Sequence, residues 1–274
     1  MIYKKLSLKD YYPFLGENGK DPVLDIYLPE NLRKGEKKPC LIICPGGGYA
    51  FCSEREAEVI GVDYLSERFN VFVLWYSVWP HKFPTQLTEV AAVMELIYKN
   101  SDEWECDTQK IAIMGFSAGG HVAGHYTNKY NCEEVRAVFP KSKGVNASIL
   151  CYPVITADER YSHSDSFLRV AGNYPLTEEQ MNIFSLERCV TKDTPPTFIW
   201  HNAGDDCVPP MNSLLYCQAL SKNKVPFEMH IFPQGVHGLA TCDKRTNGEV
   251  TSVIEHTSQW IPLCKKWLKS VFEL

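Results

Sequence analysis

Short apolar or β-branched runs alternate along the chain with longer stretches whose apolar residues recur at helical spacing. Leu24–Leu28, Cys40–Cys44, Val71–Trp75, Ile111–Met114, Ala147–Cys151, Thr197–Trp200 and Glu228–Phe232 read as strands. Helices are predicted near Glu54–Phe69, Thr85–Asn100, Ala118–Lys129, Pro210–Lys222 and Glu255–Phe272. In the second of these, Leu87, Val90, Ala91, Met94 and Ile97 fall on one apolar face. Such alternation predicts an α/β fold: a mostly parallel central sheet, right-handed crossovers, and helices on both faces. The N-terminal run reads as an added antiparallel edge. No repeat or linker interrupts the pattern, so residues 1–274 are expected to form a single domain. The stretch Pro153–Pro196 (residues 153–196) breaks the rhythm and is too long for a simple connection. It is expected to form a small cap or lid over the strand ends.

Composition narrows the partners. With 45% hydrophobic and 22% charged residues, the chain reads as a soluble globular protein. A net charge of −5, with no Lys/Arg block longer than two, argues against nucleic acid. No run approaches the roughly 18 apolar residues of a membrane span, and the opening MIYKKLSLKDYYP lacks the apolar core of a secretory signal. Eleven cysteines without a C-x-x-C pair read as reduced thiols, which points to a cytoplasmic protein. Self-association into a homo-oligomer stays open.

The candidate chemistry begins at Gly115-Phe116-Ser117-Ala118-Gly119, a G-x-S-x-G pattern between a predicted strand and a predicted helix. That context is the one a nucleophile elbow needs, because glycines leave room on either side of a sharply turned serine. A phosphate cradle would need Lys-Ser/Thr after the glycines, and His121-Val122 stands there instead. A second cluster, Pro45-Gly46-Gly47-Gly48-Tyr49, follows a strand. It can turn backbone N–H groups toward a developing oxyanion.

A serine nucleophile needs a base held by a third group. His121 and His125 form an i, i+4 pair but lack the glutamate of H-E-x-x-H, so they read as packing rather than a metal site. His237, in Gly235-Val236-His237-Gly238 just after a strand, stands where a loop can deliver an imidazole to the elbow. Asp205 and Asp206 both suit the acid's role; one is expected to serve the histidine and the other to cap the turn. Ser53-Glu54-Arg55-Glu56 reads as a capping box, with Arg55 also able to lock the loops around the site.

Taken together, LDIYLP, CPGGGYAFCSERE, LWYSVWP, GFSAGGHVAG, WHNAGDDCVP and FPQGVHGL resemble the acetylxylan-esterase-like, sugar-ester carboxylesterase group of α/β-hydrolases, from about Leu24 to Trp267. The resemblance implies an α/β-hydrolase fold, with Ser117 as nucleophile and His237 as base. Its D-x-x-V-P pattern selects Asp205 as the acid. The oxyanion donors fall on the N–H groups of Ala118, Gly46 and Gly47, with Pro45 where the related esterases carry histidine. The implied activity is hydrolysis of small acyl esters on sugars, a small-molecule reaction that needs no cofactor and no metal. Tyr49, Trp79, Tyr152 and Trp200 lie beside the motif loops and are expected to form a wall for a sugar ring. A serine peptidase of the same fold and a non-catalytic hydrolase-fold binding protein are the competing readings.

Overall fold

The computed structural model describes residues 1–15, 21–30, 35–248 and 252–274. Among the described residues eight strands form one sheet: β1 (Ile2–Ser7), β2 (Val23–Leu28), β3 (Lys38–Cys44), β4 (Asn70–Trp75), β5 (Cys106–Phe116), β6 (Ala147–Cys151), β7 (Thr197–Asn202) and β8 (Phe227–Phe232). Their spatial order is β1-β2-β4-β3-β5-β6-β7-β8. From β4 to β8 every neighbouring pair is parallel, while β2 runs antiparallel to both β1 and β4. The predicted N-terminal edge is therefore present as β1, beside the mostly parallel sheet that the sequence predicts.

Nine helices accompany the sheet among the described residues: α1 (Glu58–Leu65), α2 (Thr85–Lys99), α3 (Ala118–Lys129), α4 (Glu133–Val138), α5 (Ser164–Ala171), α6 (Glu178–Phe184), α7 (Met211–Lys222), α8 (Glu255–Ser258) and α9 (Trp260–Phe272). Every residue of β3 is buried, as expected for a strand covered on both faces. Alternate side chains feed two cores. Ile42, Leu74 and Ile113 pack with Val90, Met94 and Val122 on one face. Leu41, Ile43 and Val73 pack with Ile60, Trp260 and Leu268 on the other.

The predicted helices at Glu54–Phe69 and Glu255–Phe272 are each broken. A single 3₁₀ turn, Glu54–Glu56, precedes α1, and the last helix divides into α8 and α9. The short α4 has no counterpart in the sequence reading. Between β6 and β7 the long excursion holds α5 and α6, the latter opened by a capping box between Thr177 and Gln180. Among the described residues no helix is long and apolar enough to cross a membrane.

His121 and His125 project from α3 into the first core, both fully enclosed. Tyr49 Oη lies 2.6 Å from His121 Nδ1, and the Phe184 carbonyl lies 2.8 Å from Nε2. The hydroxyl donates to Nδ1, so Nε2 carries the proton and donates to the carbonyl. The His125 ring stacks on Phe83. Burial pushes the His121 imidazole down from 6.5 to about 4, and burial followed by the neighbouring His121 holds His125 well below the same value. The unfolded chain therefore takes up protons that the folded chain refuses. Stability is expected to fall as pH drops from 6.5 toward 4, by up to about 1.4 kcal/mol per pH unit for each histidine. Urea unfolding in steps across that range checks this, and a flat profile would contradict it.

Candidate active site

The parallel strands deliver the candidate residues at their C-terminal ends, the usual binding edge of such a sheet. β5 ends at Phe116, and Ser117 follows with φ 52° and ψ −119°, a conformation rare for a residue with a side chain. Close packing enforces it. A Cβ at Gly115 would lie 2.1 Å from the Gly119 carbonyl oxygen, and one at Gly119 would lie 2.1 Å from that of Cys44. The serine hydroxyl is thereby lifted from the turn, with α3 starting immediately behind it.

Ser117, His237 and Asp205 form one hydrogen-bonded row. His237 Nε2 is 2.7 Å from Ser117 Oγ, and Nδ1 is 2.7 Å from Asp205 Oδ2. An ionised carboxylate only accepts, so Nδ1–H donates to Asp205 and Nε2 is left to accept from the serine. The His237 loop is fixed by Asn202, whose amide donates to the Val236 carbonyl at 3.0 Å. Gly235, at φ 128°, packs directly on that amide; a Cβ there would lie 2.7 Å from Asn202 Cγ.

Asp205 is buried and Asp206 exposed. Contrary to the division of labour expected from sequence, Asp205 does both jobs. Its Oδ1 accepts the N–H groups of Cys207 and Val208, while Oδ2 faces His237. Burial alone would raise its pKa, but hydrogen bonds from His201 and His237 outweigh that and hold the carboxyl well below the usual range. His201, not singled out from sequence, is wholly buried. Its Nε2 lies 2.7 Å from the Val208 carbonyl and 3.3 Å from Asp205 Oδ2, and its Nδ1 lies 2.8 Å from Ser213 Oγ. Its place four residues before Asp205 was the available signal.

The glycine loop after β3 lies against the elbow: a Cβ on Gly46 would sit 3.1 Å from Ser117 Cβ. Gly46 itself is corrected as an oxyanion donor, because its N–H already donates to Glu56 Oε2 at 2.8 Å. Gly47 has φ 131° and no room for a side chain, since a Cβ there would meet the Phe51 carbonyl at 2.1 Å. The Ala118 N–H opens α3, where the first amides have no acceptor within the helix. At Pro45 the carbonyl takes a 2.7 Å hydrogen bond from Tyr76 Oη, which anchors the loop's start.

Glu56 was expected to close a capping box with Ser53, and it does not. Ser53 makes no side-chain cap, and Glu56 turns inward. Its Oε2 holds Gly46 and its Oε1 accepts from Tyr152 Oη at 2.6 Å, while that hydroxyl accepts the Ala240 N–H at 3.0 Å. Burial raises the Glu56 pKa, opposed by the bonds from Tyr152 and Gly46. The Tyr152 ring meets the His237 ring edge-on, 5.1 Å between centroids. Arg55 faces the other way and locks the loop after His237, through Nε to the Thr246 carbonyl at 2.7 Å and Nη2 to Asn247 Oδ1.

Three of the four aromatic residues expected to wall the site are core. Tyr49 is 1% exposed, and Tyr152 and Trp200 are 0%. Tyr49 supports His121, Tyr152 joins Glu56 to His237, and Trp200 stacks on Trp260. Only Trp79, at 48%, reaches solvent. Conversely, the excursion between β6 and β7 contributes residues that the sequence reading missed. Arg169 Nη1 donates to the Gly48 carbonyl at 3.0 Å, and His163 lies beside the same glycine. Burial and the nearby His237 imidazole lower the His163 pKa.

Residues 24–220 match the BD-FAE family model. The chain belongs to the BD-FAE family. One relative of this BD-FAE chain is an endo-1,4-beta-xylanase B of Butyrivibrio fibrisolvens, 39% identical over 76% of this chain and 33% of the relative. An acetylxylan esterase of Xylanibacter ruminicola is 28% identical over 87% of this chain and 48% of its own length. The chain thus spans about a third to a half of these two relatives. A solved acetyl ester-xyloside bifunctional hydrolase from Caldicellulosiruptor lactoaceticus superposes with a TM-score of 0.83 at 33% identity, over 98% of this chain and 96% of the other.

Glu56→Ala in this BD-FAE chain strips the acceptors from Gly46 N–H and Tyr152 O–H. It is expected to lower stability by about 1–3 kcal/mol for each donor left unpaired. Glu56→Gln, which keeps one carbonyl acceptor, should fall between Ala and wild type. Urea midpoints check the order, and three equal midpoints would contradict the network.

Proposed function

We propose that the chain is a serine carboxylesterase that removes small acyl groups, acetyl foremost, from sugars or xylo-oligosaccharides. The observation that carries this reading is the unbroken Ser117–His237–Asp205 row, with both contacts at 2.7 Å. Ser117 Oγ attacks the ester carbonyl as His237 Nε2 takes its proton, and Asp205 stabilises the imidazolium. The negative charge gathering on the carbonyl oxygen meets the N–H groups of Gly47 and Ala118. Collapse of the tetrahedral species expels the alcohol, which takes the proton back from His237. Water then attacks the acyl-serine with His237 again as base, releasing the acid and restoring Ser117.

The acyl and alcohol preferences rest on the relatives, an acetylxylan esterase and an acetyl ester-xyloside bifunctional hydrolase. The fold alone carries no substrate information. All eleven cysteines are free thiols, which fits a reducing, cytoplasmic setting.

A hydrolysis screen across acetyl, butyryl, feruloyl and acetylated-sugar esters tests the proposal. Acetyl esters should lead. Ser117→Ala should lose at least about a thousandfold in kcat. Full turnover by that variant would end the serine mechanism. Inert acetylated xylo-oligosaccharides beside reactive aryl acetates would end the sugar preference. Faster cleavage of aminoacyl amides would favour a peptidase.

A further inference from the structure

A cavity of about 470 Å³ opens beside the glycine loop, at the same end of the sheet as Ser117 and above the edge formed by β1, β2 and β4. Its walls mix aromatic rings, Phe51, Trp75 and Trp79, with charged side chains, Lys5, Asp21 and Glu54. Phe51 is 60% exposed and Trp79 48%, whereas Tyr49, Tyr76, Tyr152 and Trp200 are enclosed. A Trp75 indole N–H donating to Asp25 at 2.6 Å fixes that ring. The Lys82 ammonium, 5.3 Å from the Trp79 ring centre, positions the second indole.

Phe51 belongs to the loop that carries the proposed oxyanion donor, and Trp79, in the loop after β4, is hydrogen-bonded to it. Phe51 N–H reaches the Gly47 carbonyl at 3.3 Å, and its Cδ2 lies 3.1 Å from where a Gly47 Cβ would stand. Trp79 N–H donates to the Tyr49 carbonyl at 2.8 Å. The end of β4 stands two places from the end of β5 in the sheet, about 10 Å at the usual strand spacing. That separation is within the reach of a short sugar chain whose ester stands at Ser117.

We propose that the groove binds the sugar chain of the alcohol that leaves from Ser117, with its rings lying on Phe51 and Trp79. The inference rests on the sugar-ester reading above. A pyranose presents an apolar C–H face to an aromatic ring and a rim of hydroxyls to polar side chains, which is the mixture this groove offers. An aliphatic acyl chain would be buried against Lys5, Asp21 and Glu54 at a desolvation cost. The volume lies within the roughly 300–1,000 Å³ of small-molecule sites.

The groove is tested apart from the chemistry by titrating wild type, Trp79→Ala and Phe51→Ala with unacetylated xylotetraose, followed by calorimetry and tryptophan fluorescence. Binding by wild type that weakens about tenfold in each variant, at unchanged thermal midpoint, is expected. No binding by wild type, or equal binding by all three, would overturn the proposal. In turnover, the ratio of kcat/KM for acetylated xylotetraose over that for phenyl acetate should fall about tenfold in either variant, carried by KM. A change confined to kcat would count against it. If acetylated sugars prove inert, the sugar-ester reading fails, while the titration still decides whether the groove takes a glycan.

Discussion

The first turn of α3 lies so close to the end of β3 that a methyl group on Gly119 would stand 2.1 Å from the Cys44 carbonyl and 2.3 Å from that of Pro45. That approach is the constraint on which the site depends. It forces the chain to reverse within one residue after β5, which puts Ser117 at φ 52° and its hydroxyl above the turn. It also sets the glycine loop against the serine, so the Ser117 hydroxyl and backbone amides share one small volume. Neither feature could tolerate a larger residue at the contact, because the opposing atoms belong to backbone that cannot yield.

Around this contact the polar groups form closed networks. Asp205 is held by two backbone amides and two imidazoles, and His201 in turn contacts Ser213. Glu56 joins the glycine loop to Tyr152, which lies against His237 and takes the Ala240 amide. Arg55 and Asn202 hold the His237 loop from two sides. A buried hydrogen-bonded network fixes geometry, and the row needs its donor and acceptor distances held to a few tenths of an ångström. Gly46 belongs to the same network: its amide serves the scaffold, which leaves Gly47 and Ala118 as the proposed oxyanion donors.

The fold and the hydrogen-bonded Ser117–His237–Asp205 row were legible because short backbone constraints encode them. G-x-S-x-G, the aspartate before Val208-Pro209 and the glycines around His237 each write a turn into the letters. Glu56 was not legible, since Ser53 and Glu56 have capping-box spacing whichever way the glutamate points. Nearness in sequence to a motif loop also misled: Tyr49, Tyr152 and Trp200 flank the site, but the strands and loops aim them inward. His163 and Arg169 arrive from the excursion between β6 and β7, and its path over Gly48 has no local signature. Trp79 stayed outside because it follows the end of β4, beyond the last residue covered on both faces.

The central claim is that Ser117, activated through His237 and Asp205, takes the acyl group covalently. Mass spectrometry of the protein quenched during turnover of an aryl acetate tests this most directly. The account predicts an acetyl adduct mapped to the peptide carrying Ser117, formed in wild type and absent from His237→Ala. Turnover with no adduct on Ser117, or an adduct that forms equally fast without His237, would contradict it.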